Sequence, residues 1–192
     1  MSAADSKIDQ VVSAALDVFG RYGYQRTSME LIAKAAGISR PALYQHFSGK
    51  EDIFRAAGER IADELVSAAE TAAAADGPSA DRLYHALAVK LDSTAGLVDS
   101  RFRRDLIAEA SARLPGLQAS MKARHGAVIE RILNSAADLD VAASAISAHD
   151  IAVVLLDALT GIAQQDEPAE ELQRRLRQLV SLTIGSLDHP AQ

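Results

Sequence analysis

The sequence predicts an all-α protein: an N-terminal three-helix domain with a helix-turn-helix, then a C-terminal helical bundle, about nine helices in all. Three observations carry this. Apolar residues recur at helical spacing along nearly all of the 192 residues, while sustained period-two alternation and Asn-Gly hairpin signals are missing. Capping residues and Gly or Pro breaks cut that periodicity into helix-sized lengths. Aromatics are only 4% of a chain that is 48% hydrophobic, so the core is built from Ala, Leu, Ile and Val, which suit closely packed helices.

The first helix is expected over residues 6–22, with Ile8, Val11, Val12, Ala15 and Phe19 on one face and Gly23-Tyr24 ending it. Thr27-Ser28-Met29-Glu30 reads as a capping box that opens the second helix, and Gly37 stops it. Ser39 caps the third, with Pro41 in its first turn, where a missing N–H costs nothing. Ser48-Gly49-Lys50-Glu51 reads as another capping box, opening a helix that runs to about residue 74. After the break at Asp76-Gly77-Pro78, helices are expected over 79–95 and 100–112. Pro115-Gly116 breaks again before a helix over 117–136. A looser connection at 138–147 leads to Ser147, which caps a helix over 148–164, and Asp166-Glu167-Pro168 precedes the last, 169–187. Two domains follow, 1–55 and 56–192, with the helix-turn-helix at about 29–48.

Charge is uneven. The chain carries −6 overall, but residues 1–55 hold seven Lys/Arg against six Asp/Glu, and the remaining thirteen against twenty make the second part −7. The first part is neutral enough to approach a phosphate backbone. Cysteine is absent, the first residues are polar, and no apolar run approaches a membrane span. A cytoplasmic protein with no membrane segment is expected. Scattered histidines without H-x-x-x-H or E-x-x-H spacing, no phosphate-cradling Gly-rich loop and no nucleophile elbow argue against an enzyme, a metal or a cofactor.

The third helix is short but rich in reaching side chains. Ile32, Ile38, Leu43 and Phe47 are spaced to fill a core shared with Phe19, which leaves Arg40, Pro41, Ala42, Tyr44, Gln45 and His46 largely outside it. A recognition helix needs this division of apolar anchors from groove-facing polar groups. Gln45 suits an adenine edge, Ala42 and Pro41 a thymine methyl, and Arg40 a guanine or a phosphate. Tyr44 and His46 can bond phosphate oxygens. Lys50, Thr27 and Ser28 stand at helix starts, where free N–H groups already favour an anion. Tyr44 as a packing residue and His46 as a local cap remain the alternatives.

On Phe19, Gly23, Tyr24, Thr27, Ile32, Ala33, Ala36, Gly37, Ile38, Leu43, Tyr44, His46, Phe47, Lys50 and Glu51, residues 8–54 resemble the DNA-binding domain of the tetracycline-repressor family. The resemblance implies an all-helical homodimer, usually of nine helices, on a palindromic double-stranded operator. It implies operator reading by the third helix, and a fourth helix that links to a regulatory domain. Such proteins often carry Lys-Gly-Thr where this chain has Arg40-Pro41-Ala42, and proline stiffens that turn and removes a donor.

The helix at 148–164 is apolar almost all round, and the last helix carries a stripe of leucines, so both seek partners. In the resembled family these two helices form a four-helix bundle across the dimer axis. The candidate interface residues are Ile151, Leu155, Leu159, Leu172, Leu176, Leu179 and Val180. An intrachain core would use the same residues. Polar groups on otherwise apolar faces suggest an effector cavity lined by Tyr84, Phe102, Leu106, Met121, His125, Asp157 and Thr160, with Asp157 favouring a cation or a hydrogen-bond donor. The competing reading is a satisfied salt bridge from Asp157 and a core histidine. The function expected is a ligand-responsive transcriptional regulator, a repressor released by a small molecule. The alternative is a constitutive DNA-binding dimer with no effector.

Overall fold

The computed structural model describes residues 3–97 and 100–187; the side chains of 3–5, 93–97 and 100–104 lie outside the description. Among the described residues there are nine α-helices and no strand. They are α1 (Ala3–Arg26), α2 (Met29–Ala35), α3 (Arg40–Tyr44), α4 (Lys50–Ala73), α5 (Ser79–Leu97), α6 (Ser100–Arg113), α7 (Pro115–Asn134), α8 (Ala148–Ala163) and α9 (Ala169–Leu187), with a single 3₁₀ turn at Val141–Ala143 before α8.

The chain forms two compact units. The first comprises Met1–Ala62 and Thr94–Gln118. It therefore takes in α6, a segment that the sequence reading grouped with the C-terminal part. Its core runs through Val11, Ala15, Phe19, Ile32, Leu43, Phe47, Ile53 and Leu114, all nearly or fully buried. Phe19, Tyr24 and Phe54 make an aromatic cluster: Phe54 meets the Phe19 ring edge-on at 5.1 Å and the Tyr24 ring at 4.8 Å. α1 packs on both α2 and α6. Gly58 marks a close approach of α4, since a Cβ there would lie 2.9 Å from Leu117 Cδ2.

Two of the expected caps are displaced. Ser28, not Thr27, caps α2, its Oγ accepting from the Leu31 N–H at 3.2 Å. Thr27 is 3% exposed and its hydroxyl donates to the Gly23 carbonyl at 2.7 Å, because Gly23 (φ 73°) breaks α1 and leaves that carbonyl without its helical partner. At α4 the acid is Asp52 rather than Glu51: its carboxylate accepts from the Ser48 N–H at 2.9 Å and hydroxyl at 3.1 Å. Ser39 caps α3 as expected, accepting from the Ala42 N–H.

The second unit comprises Asp63–Ser93 and Ala119–Gln192. Leu83, Leu87, Ile129, Ile132, Leu155, Leu159 and Leu176 form its fully buried centre. Its ends are fastened by polar contacts. Arg82 donates twice to the Ala73 carbonyl at the end of α4, at 2.7 and 3.0 Å. Asp138 accepts from both the N–H and the hydroxyl of Ser79 at the start of α5, and these bonds lower its pKa. Among the described residues no helix is long and apolar enough to cross a membrane.

Candidate nucleic-acid interface

The α2–α3 corner is set by backbone chemistry. Gly37 adopts φ 66°, a conformation that costs other residues steric strain. Its N–H donates to the Lys34 carbonyl at 3.2 Å, and the Ile38 N–H reaches the Ala33 carbonyl at 3.0 Å. This six-to-one and five-to-two pair is a Schellman motif, which closes α2 and turns the chain sharply into α3. Ala33, 3% exposed, keeps that corner tight.

α3 then divides as expected. Leu43 is fully buried and Phe47 nearly so, while Arg40, Pro41, Tyr44 and Gln45 are exposed and Ala42 and His46 half-buried. The Arg40 guanidinium lies 5.7 Å from the Tyr44 ring centroid, and a hydrogen bond with Tyr44 raises its pKa further. The pair forms one planar, cationic edge beside Gln45. Such an edge can bond guanine or phosphate, and the free amide of Gln45 can read an adenine.

The supporting residues differ from expectation. Ser28 is exposed at its helix start, but Thr27 is a buried fastening. Lys50 is half-buried. Its Nζ donates to the Tyr24 carbonyl at 2.8 Å and sits 4.2 Å from the Tyr24 ring centroid. Burial lowers its pKa, and Arg113 nearby lowers it further. Arg113 lies over the same ring at 4.4 Å and donates to Glu109 at 2.6 Å and Glu51 at 3.4 Å. Gln25 completes the cluster with a hydrogen bond to Glu109, whose pKa these donors lower. No local sequence signal could have found this group, since Gln25 and Glu109 are 84 residues apart. A groove of about 530 Å³ runs beside it, lined by Tyr22, Gly23, Arg26, Asp105 and Ala108 among others.

The expected effector residues take several different environments. Leu106 packs against the core of the first unit. The Phe102 side chain lies outside the described residues. Tyr84 and Met121 are partly buried against the second core. His125 is 2% exposed, with Nε2 2.8 Å from the Ala86 carbonyl. Asp157 is not a buried acid: its side chain is 62% exposed and pairs with Lys122. Helical rotation places it on the outer edge of α8, where water carries most of its solvation. Among the described residues no cluster of His, Asp or Glu could hold a metal.

The expected interface residues lie mostly within the chain's own core. Leu155, Leu159, Leu172, Leu176 and Val180 are 0–3% exposed inside one chain, Ile151 is 8% exposed and Leu179 half-buried. The outward apolar side chains of α8 and α9 are Val154, at 62%, and Leu182, at 74%.

Residues 11–57 match the family model described as bacterial regulatory proteins, tetR family. The HTH-type transcriptional activator FasR of Mycolicibacterium smegmatis is 38% identical over 88 residues, 46% of this chain and 40% of its own length. The HTH-type transcriptional regulator RutR of Escherichia coli is 38% identical over 61 residues, 32% of this chain and 29% of RutR. The chain thus spans less than half the length of these relatives. A transcriptional regulator of the TetR/AcrR family from Thermobifida fusca shares the fold, with a TM-score of 0.70 at 22% identity, covering 91% of this chain and 96% of that one.

Proposed function

We propose that this chain, whose residues 11–57 match the family model described as bacterial regulatory proteins, tetR family, is a DNA-binding transcriptional repressor that a small molecule releases from its operator. The observation that carries the reading is the division of α3: Leu43 and Phe47 anchor it while Arg40, Pro41, Tyr44 and Gln45 face outward. Repression requires only occupancy of the operator, so it asks no more of the chain than this surface.

A dimer supplies two such helices. We place its contact on the outer faces of α8 and α9, around Val154 and Leu182. These are large apolar groups turned to solvent, and Gly161 and Gly185 on the same two helices have nothing within 4 Å of a Cβ. Two recognition helices one DNA turn apart, roughly 34–36 Å, would read an inverted repeat. Ligand response is supported by ionisable groups set within the apolar second unit, Lys90 and His125 above all.

Selection of binding sequences from a random duplex pool with the full chain tests the DNA reading. An enriched inverted repeat supports it, and a pool that stays random at moderate salt refutes it. Calorimetric screening of metabolites and drugs, each hit read against operator release, tests the ligand reading.

A further inference from the structure

The first and last residues of α3 form a pair. Arg40 and Tyr44 stand four residues apart, about one turn, so their side chains share a face. The guanidinium carbon lies 5.7 Å from the Tyr44 ring centroid, and a hydrogen bond joins the two side chains. Both are exposed, while Leu43 beside them is fully buried and fixes the rotation of the helix. Ser39 caps the first turn and Pro41 locks its own φ there, so the pair stands on a stiff base.

This pairing is unlike that of the arginines that brace the fold. Arg113, Arg124, Arg131 and Arg174 each pair with a carboxylate. Among the described residues Arg40 makes no such ion pair: the Tyr44 hydrogen bond is the largest influence on its pKa, and Glu30 of α2 the smallest. A guanidinium carries five N–H donors, and a phenol oxygen accepts one of them without spending the charge. The Tyr44 hydroxyl keeps its own proton for another acceptor. A phosphate offers oxygens in many directions, so a free arginine meets it as well as a held one. Holding the guanidinium matters for an acceptor pair that is itself planar and fixed, the O6 and N7 of a guanine.

We propose that Tyr44 is a positioning residue for base reading: its hydroxyl holds the Arg40 fork in the plane of one guanine per half-site, while its own proton goes to a phosphate oxygen. The inference rests on the DNA-binding reading and deepens it. Tyr44, expected from sequence to touch phosphate or to pack, then also decides a base, through Arg40 and without touching that base. Backbone grip and base reading are linked in one chain of hydrogen bonds, from phosphate to Tyr44 to Arg40 to guanine.

The test uses the full chain, an operator enriched from the random pool, and copies of it in which each guanine in turn becomes 7-deazaguanine, which pairs as guanine does but lacks N7. The unmodified chain loses about tenfold in affinity at one guanine per half-site, the loss of one hydrogen bond from a charged donor. Arg40→Met abolishes that difference. Tyr44→Phe keeps the ring and removes the hydroxyl; it shrinks the difference severalfold and leaves the preference at the base read by Gln45. Adding Tyr44→Phe to Arg40→Met changes the difference no further, because Tyr44 acts through Arg40. If Tyr44→Phe fails to fold, Tyr44→Ala, which also lacks the hydroxyl, serves instead. A residue that only grips the backbone weakens guanine and 7-deazaguanine operators alike, so the full tenfold difference in a folded Tyr44→Phe, or in Arg40→Met, overturns the positioning role. An operator that tolerates 7-deazaguanine at every guanine, or contains none, overturns it too and leaves DNA binding standing. A pool that stays random refutes the DNA-binding reading and this inference with it.

Discussion

The Arg113 guanidinium lies 4.4 Å from the centroid of the Tyr24 ring, the same ring that the Lys50 ammonium approaches at 4.2 Å. One aromatic face system therefore carries a cation from α6 and a cation from the start of α4, while its remaining contacts go to Phe19 and Phe54 in the core. Glu109 and Glu51 hold Arg113 in place and temper the repulsion between the two cations.

Arg113→Ala should lower the melting temperature of the chain and raise the Lys50 pKa, because it deletes the cation that depresses it. Arg113→Lys should recover little of the melting temperature, since an ammonium lacks the planar fork that meets Glu109, Glu51 and the ring together. Scanning calorimetry and NMR titration of the Lys50 side chain read the two effects. A wild-type melting temperature in Arg113→Ala would mean the cluster is ornamental.

Gln45 and Lys50 should fail differently in DNA binding. Gln45→Ala should change preference at one position per half-site, by about 1–3 kcal/mol, and leave the salt dependence alone. Lys50→Ala should weaken all sequences similarly and also lower stability, because its ammonium fastens the Tyr24 carbonyl. Competition binding against single-base operator variants at two salt concentrations separates them. Equal losses on every sequence in Gln45→Ala would remove it from base reading.

The division of α3 was legible in the sequence because it depends on local periodicity, and the same holds for the Ser39 and Ser147 caps. Thr27 and Ser28 show the limit. Both are capping types, and only the break at Gly23 decides which faces inward. Asp157 shows another: an apolar helix reads the same whether its acid points to the core or to Lys122 across the surface. The leucines of α8 and α9 were expected to seek partners, and most are buried within the one chain; periodicity cannot tell a partner within the chain from a partner copy.

That ambiguity sets the test of the dimer. Val154→Glu combined with Leu182→Glu places charge on exposed positions, so the fold should survive while a dimer through this face dissociates. Leu155→Ala instead should cost about 2–5 kcal/mol of stability, since the side chain is 1% exposed within one chain. Sedimentation beside thermal melting distinguishes the two. An unchanged dimer in the double Glu variant places the interface elsewhere.

The last prediction concerns pH. Burial lowers the His125 pKa from its ordinary 6.5, with the Ala86 carbonyl opposing and the Lys90 ammonium adding to the decrease. Above about 6.5 the ring is neutral in both folded and unfolded chains and contributes nothing to pH dependence. Below it the unfolded chain takes up a proton that the folded chain refuses, so stability falls as pH drops through this range, until the folded pKa is passed. His125→Gln retains a side-chain N–H that can reach the Ala86 carbonyl but cannot titrate. The variant should therefore lose less stability than the unmodified chain between pH 6.5 and 5, while carboxylates contribute equally to both. Denaturant unfolding at a series of pH values measures the difference. Parallel curves for the two proteins would mean that His125 takes up its proton as readily in the folded chain as in the unfolded one.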